Sequence, residues 1–256
     1  MKYSILLFLT SFFFAQYCSC ADGDLLLFQN RHLEKTYGDT QKDGVPLAKI
    51  AIEYPFFSGR SEETVNSVNT YVMNYLITEL SKYLPGGQKG AADLEQVSEM
   101  FLDGYADFHN AFPDSPQRWS LELNGAVVYA APVIVTIRIE LTAYTGGAHS
   151  NYRATYHCFS VISGKKLALE DIITDEQELT SRAEKKFRAM KNLREADSLK
   201  DAGFWFDSDT FALNDNFGVT ETGLLFFYNP YEIAPWAMGS TELAIPFEEI
   251  RTLLKE

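Results

Sequence analysis

From Val45 to Phe57 the chain alternates in period two. Ala48, Ile50, Ile52 and Tyr54 fall on one side and Lys49, Ala51 and Glu53 on the other, which predicts a half-buried strand. Ser61, with Glu62 and Glu63 behind it, is a helix start, and Val65, Val68, Val72, Leu76, Leu80 and Leu84 form a stripe at helical spacing. Pro85-Gly86-Gly87 ends that helix. A second helix is predicted from Asp93 to Asn110, with Leu94, Val97, Phe101, Tyr105 and Phe108 inward and His109 capping carbonyls near its end. Beyond Pro113 and Pro116 the period returns to two. Trp119, Leu121 and Leu123 lead to Asn124-Gly125, a favoured hairpin pair, and the chain returns through Ala126 to Ala131.

Val133, Val135, Ile137, Ile139, Leu141 and Ala143 then face one way along a strand with one buried side, and a further strand runs from Tyr152 to Val161. Thr174 and Gln177 read as a capping box ahead of a helix with Leu179, Ala183, Phe187 and Met190 inside. Glu178–Arg182 and Glu184–Arg188 are supporting i,i+4 pairs on it. Short strands and turns follow from Gly203 to Ile245, including the fully apolar run Leu224 to Tyr228, and Pro246 to Leu254 closes as a short helix. Strands joined mostly by hairpins imply largely antiparallel sheets with helices packed on them, an α+β class. Two intimately packed halves are expected, 45–144 and 145–256. The segment 21–44, polar and broken by Gly23, Gly38 and Gly44, reads as a flexible tether.

The first twenty residues form a separate unit of meaning. Lys2 supplies a positive charge, and Ile5 through Ala15 is apolar but short for a membrane span, the pattern of an export leader. Cys18-Ser19-Cys20-Ala21 then offers two outcomes: lipidation at Cys20 or Cys18, or plain cleavage after Cys20 or Ala21. Either places the remaining chain outside the cytoplasm, in the cell envelope. Cys158 is the one cysteine beyond the leader, so the fold is expected to lack an internal disulfide, and the apolar positions beside Cys158 predict that it is buried. The net charge of −13 argues against nucleic acid and anionic lipid as partners and favours a basic one.

No Gly-x-Ser-x-Gly elbow, His-Glu-x-x-His helix, Walker loop or dinucleotide-binding glycine run is present in the sequence. The four histidines are dispersed. Asp207, Asp209, Asn214, Asp215 and Asn216 carry oxygen ligands, but without EF-hand spacing they read as a solvated loop, so neither a metal nor any other cofactor is expected. Two segments remain as candidate sites. In Tyr144 to Tyr152, paired glycines flank His149 and Asn151, so the imidazole is either presented at a groove or holds a structural corner. In Tyr228 to Gly239, two prolines stiffen a run containing Tyr228, Tyr231, Glu232 and Trp236, which suits a sugar or an aromatic-rich protein partner, or else a buried structural loop.

These two segments resemble the signatures of a known domain pair. Gly146-Gly147-Ala148-His149-Ser150-Asn151 is similar to a Gly-Gly-Ala-His-x-Asn motif, and Tyr231-Glu232-Ile233-Ala234-Pro235-Trp236-Ala237-Met238-Gly239 to a Tyr-Glu-Ile-Ala-Pro-Tyr-x-x-Gly motif, with Trp236 in place of Tyr. The pair occurs in the ectodomains of RsiV-like anti-sigma factors, which bind lysozyme, and beside the catalytic domains of peptidoglycan deacetylases. The resemblance implies an envelope protein near peptidoglycan, with a wall glycan or a lysozyme-like protein as ligand. The expected function is non-catalytic binding or sensing through His149, Asn151, Tyr228, Tyr231, Glu232 and Trp236. The alternatives are a wall-glycan hydrolase or deacetylase with His149 as base beside Glu232, and a scaffold with no small ligand.

Overall fold

The computed structural model of the chain describes residues 26–38, 45–87 and 90–255. The leader, with Cys18 and Cys20, lies outside the described residues. Among those described, no helix is long and apolar enough to cross a membrane.

The chain forms two compact units. Among the described residues, the first comprises those up to 126 together with 139–152, and the second those of 127–138 and from 153 onward. A five-stranded sheet has the order β1 (Leu27–Tyr37), β2 (Ala48–Ser58), β3 (Trp119–Ala130), β4 (Ile134–Tyr144), β5 (Asn151–Ser160). The division therefore runs through β3, β4 and β5, whereas the sequence pattern put it in the loop after Tyr144.

In the first unit, β1 pairs antiparallel with β2 from Leu27↔Ser58 to Tyr37↔Ala48. The expected tether thus contains an eleven-residue strand. Its stabilising partners are remote in sequence, which is why its own composition concealed it. Phe28 meets Phe57 with ring centroids 6.0 Å apart, the Arg31 guanidinium lies 3.2 Å from the Phe56 ring centroid, and Lys35 pairs with Glu95 and Glu99.

Helix α1 (Glu62–Ser81) starts as expected at Ser61, whose hydroxyl accepts from the Thr64 N–H at 3.3 Å. Helix α2 (Leu94–Ala111) is capped by Asp93. Val68, Val72, Leu76 and Leu80 of α1 and Val97, Phe101 and Tyr105 of α2 are buried with Ile50, Ile52, Leu121 and Leu123 of the strands. His109 does not cap a carbonyl. Its ring stacks on Tyr105 at 6.1 Å, and its Nδ1 is buried without a hydrogen-bond partner among the described residues.

Because both helices intervene between β2 and β3, those strands pair in parallel, from Ala48↔Trp119 to Glu53↔Asn124. The hairpin expected at Asn124-Gly125 is absent, since both residues continue β3. A Cβ on Gly125 would lie 3.2 Å from Pro55 Cδ and 3.4 Å from the Glu53 carbonyl oxygen. The glycine thus serves close approach to a neighbouring strand instead of a turn. The reversal comes six residues later, where Ala131 N–H donates to the Ile134 carbonyl at 2.8 Å.

In the second unit, β6 (Phe217–Val219), β7 (Gly223–Tyr228) and β8 (Thr241–Pro246) form an antiparallel sheet in chain order. Leu179, Ala183 and Phe187 of α3 (Glu176–Met190) belong to a core shared with Leu224, Phe226, Leu243 and Ile245, and a short helix α4 (Phe247–Ile250) follows β8. Phe187 is ringed by Phe204, Phe206 and Phe211 at centroid separations of 5.0, 5.5 and 5.3 Å. Met190, expected inside, is exposed.

The α3 cap is Asp175, which accepts from Glu178 N–H, while the Thr174 hydroxyl donates to the Leu253 carbonyl. The two i,i+4 ion pairs are present at 2.7 and 2.8 Å. Two mostly antiparallel sheets with four α-helices make this an α+β fold, as the alternating pattern predicts.

From Ala154 to Phe159 strand β5 is buried on both faces. Cys158 lies 1% exposed on one face, as expected, and burial pushes its thiol up against the opposing hydrogen bond with Thr136. His157 lies on the other face with Nε2 3.0 Å from the Thr155 hydroxyl. Burial, with Lys166 adding to it, lowers its pKa to about 3.

A base with a depressed folded-state pKa contributes stability that is whole above the unfolded value, about 6.5, and is lost as pH falls toward the folded value. The protein should therefore lose roughly 2 kcal/mol through this group between pH 7 and pH 5. Chemical denaturation of His157→Gln should show a correspondingly flatter profile over that window. Equal slopes for the variant and the unaltered chain would refute the assignment.

Candidate functional site

The Tyr228 to Gly239 segment begins with a structural problem at β5. The Ala154 N–H and C=O and the Tyr156 N–H find their partners in side chains. The Asn229 carboxamide accepts from Ala154 N–H at 2.7 Å and donates to its carbonyl at 3.0 Å, imitating one residue of an adjoining strand. Asn216 accepts from Tyr156 N–H at 2.8 Å and donates to the Ala154 and Phe227 carbonyls. Leu167 N–H then meets the Cys158 carbonyl. Asn229 is 7% exposed, so leaving these amides unmatched would be costly.

Asn229-Pro230-Tyr231-Glu232 is a tight turn closed by Glu232 N–H donating to the Asn229 carbonyl at 3.1 Å. Tyr231, at its third position, has φ +66°, a left-handed conformation that costs a side-chain-bearing residue about 1 kcal/mol or more. The Glu232 carboxylate holds the turn from behind. One oxygen accepts from Asn229 N–H at 2.8 Å and the other from Asn214 Nδ2 at 2.6 Å. Tyr228 is buried and donates to the Ala212 carbonyl at 2.8 Å, and burial, with the Glu232 charge adding to it, pushes its phenol above the usual range. Tyr228 and Glu232 are thus spent on architecture.

What the turn presents is aromatic. Tyr231 is 55% exposed, and its ring lies 6.0 Å from that of the partly exposed Trp236 at an interplanar angle of 32°. Trp205 is 51% exposed, and its backbone N–H donates to the Ile233 carbonyl of the same segment at 2.8 Å. Met238 follows Trp236 in the segment, and its Sδ lies 3.7 Å from where a Cβ on Gly203 would stand. Trp205 escaped the sequence reading because it lies 31 positions before Trp236 in a segment without periodicity.

The His149 loop belongs to the first unit. Gly146 and Gly147 have φ +105° and +118°, and a Cβ on Gly146 would overlap the Gln117 side chain. Gln117 Nε2 donates to the Thr145 carbonyl, and the Tyr144 hydroxyl to that of Gly147. His149 is exposed with Nδ1 3.1 Å from the Ser150 carbonyl oxygen, and Asn151 is exposed at the start of β5. His149 and Asn151 thus fall in a different unit from Tyr228, Tyr231, Glu232 and Trp236.

The first unit also has a groove of about 330 Å³ that the sequence reading missed. Glu34 of β1, Lys49 and Glu53 of β2, Glu122 and Asn124 of β3, Glu140 of β4 and Tyr152 line it. These are the outward positions of the alternating strands, and register brings Ala51 against Glu122 and Glu53 against Asn124. The signal lay in the polar half of the period-two pattern, but which strands neighbour one another could not be read locally. Glu34 pairs with Lys49 at 3.2 Å, and Glu140 accepts from the Tyr152 hydroxyl at 2.7 Å.

Among the described residues no group of three or more His, Cys, Asp or Glu side chains can hold a metal ion. In the acidic loop, Asp209 instead accepts from Lys200 N–H at 2.7 Å.

Comparison with known families finds similarity in two stretches of the chain. Residues 42–152 match the profile of the deacetylase PdaC, and residues 170–248 match DUF3298, described as a protein of unknown function. The two matched stretches follow one another along the chain without overlap, so each part is similar to a different family. A solved DUF3298 family member from Bacteroides fragilis NCTC 9343 superimposes with a TM-score of 0.66 at 23% identity, covering 90% of this chain and 94% of its own. A DUF3298 family protein from Pseudomonas aeruginosa PAO1 gives 0.61 at 20% identity, covering 91% and 96%. At these identities the likeness establishes the fold. A search of curated proteins returns no significant match.

The β5 clamp makes a direct prediction for the second unit. Asn229→Ala removes the acceptor for the Ala154 N–H and one of the two donors to its carbonyl, and should lower unfolding free energy by about 2 kcal/mol, whereas Asn151→Ala should change it by less than about 0.5 kcal/mol. Urea denaturation measures both. Similar losses in the two variants would show that Asn229 is not the clamp.

Proposed function

We propose that this protein is a non-catalytic binding module of the cell envelope, exported and held through a lipid on Cys20, whose ligand is a cell-wall glycan seated on Tyr231, Trp236 and Trp205. One observation carries the reading. A residue held at positive φ by a fully bonded turn displays its ring to solvent beside a second aromatic, in a loop whose carboxylate is already committed. Strain of this kind persists where the surroundings over-determine it, and exposed flat rings on a stiff backbone suit the apolar faces of sugars. The PdaC profile match supports a wall-related role.

The hydrolase alternative fares worse. A general acid or base needs an available carboxylate, and both oxygens of Glu232 are engaged in holding the turn. A lysozyme-like protein as ligand is favoured by a different feature, the carboxylates of the PdaC-type groove together with the net charge of −13. A basic partner would be drawn there electrostatically.

Tyr231→Gly separates function from stability. Glycine relieves the left-handed strain, so thermal stability should hold or rise by about 1 kcal/mol, while affinity for wall oligosaccharides falls. Trp236→Ala should weaken binding roughly fivefold to tenfold. Calorimetry with soluble peptidoglycan fragments and with a cationic lysozyme, at two salt concentrations, distinguishes the readings. Unchanged glycan affinity in Tyr231→Gly, or turnover of the fragments, would sink the proposal. Salt-sensitive lysozyme binding without glycan binding would install the second reading.

A further inference from the structure

The outer edge of β1 is open. The strand is the first of its sheet and eleven residues long, and among the described residues its backbone hydrogen bonds go to β2 and to Leu47. An exposed edge of that length is a template for another strand, and folded proteins ordinarily blunt it with charged side chains that stand out from it. The charges of β1 are instead held by its own fold. Lys35 lies between Glu95 and Glu99 with its side chain 13% exposed, and the Arg31 guanidinium rests on the Phe56 ring. Glu34 meets Lys49 at 3.2 Å, with the His32 ring 3.8 Å away, and both contacts use the same carboxylate oxygen, Oε2. His32 and Glu34 also line the groove.

We infer that β1 pairs with β1 of a second copy of this chain, antiparallel about a two-fold axis at Leu33. Two copies of one strand meet antiparallel about an axis perpendicular to the sheet, so each residue opposes either itself or one an even number of positions away. The registers that pair most of the strand are centred on residues 31 to 34. An axis at Arg31 or at Glu34 sets like charges face to face, and an axis at His32 makes no pair of opposite charges. The axis at Leu33 puts His32 opposite Glu34 on both sides of it, where Glu34 Oε1 remains for the ring of the other copy. It also puts Arg31 opposite Lys35, whose two bound carboxylates make that position net negative. Because the axis is perpendicular to the sheet, the face bearing His32 and Glu34 continues into the same face of the second copy. Each groove is thus bordered by His32 and Glu34 of the other copy, and two sets of carboxylates face a ligand together.

Pairing along one strand edge buries less than the roughly 1,200 Å² of a stable interface, so a reversible dimer with a Kd of about 50 μM is expected. Sedimentation equilibrium of the unaltered chain measures it, and a chain that stays monomeric at about 1 mM overturns the inference. Cysteine crosslinking then reads the register, in a chain with Cys18 and Cys20 replaced by Ser. Opposed Cα atoms about 4.5–5.5 Å apart are within disulfide reach, whereas residues two positions out of step are more than about 7 Å apart and are not. Leu33→Cys should crosslink to itself. His32→Cys and Glu34→Cys, both at exposed positions, should crosslink when the two chains are mixed and not when either is oxidised alone. Equal crosslinking by His32→Cys alone overturns the register, and a dimer in which none of these cysteines crosslinks overturns its placement on β1.

Discussion

An interior strand edge with no neighbouring strand must satisfy its amides some other way, and the second unit is organised around that requirement at β5. The strand is buried on both faces from Ala154 to Phe159, so water is not there to complete its hydrogen bonds. Two carboxamides and a short backbone segment take water's place. Asn229 can do this only if its own backbone is held in one position. The turn that follows it, with Pro230 presetting φ and Glu232 bonding back to the Asn229 N–H, supplies that restraint.

The same restraint shapes the surface. Holding Asn229 and Glu232 leaves Tyr231 as the third residue of a tight turn, the position where glycine is usual. A tyrosine there is strained, and its ring is directed outward beside Trp236. The segment therefore divides between the two readings that the sequence left open: members whose polar groups are bonded within the fold are architectural, and the rings of Tyr231 and Trp236 lie at the surface. Tyr228 and Glu232 fall on the first side of that division, Tyr231 and Trp236 on the second.

The first unit has a different character. Its sheet turns an apolar face to α1 and α2 and a charged face outward, and the outward face gathers Glu34, Glu53, Glu122 and Glu140 from four strands. Exposed aromatic rings in one unit and acidic charge in the other would act on a ligand in different ways. The first depends on shape and is weakly sensitive to salt; the second acts over about a Debye length and is screened.

Periodicity along the chain determined the elements whose partners are local. The α1 stripe with its Ser61 cap, the α3 ion pairs, the burial of Cys158 and the α+β class all follow from spacing, because helix faces and strand alternation are properties of consecutive residues. Tertiary structure alone decided the features whose partners are distant. Strand β1 exists through its pairing with β2 and its contacts to Phe57, Glu95 and Glu99, and Gly125 is a close-packing glycine because Pro55 lies across from it. Motif residues drew attention to the loop without revealing that Glu232 would be consumed, that Asn229 would stand in for a strand, or that the Trp205 backbone would bond to Ile233. A hydrogen bond across 75 positions leaves no mark on the local pattern of either partner, so such roles emerge only when the chain has closed on itself.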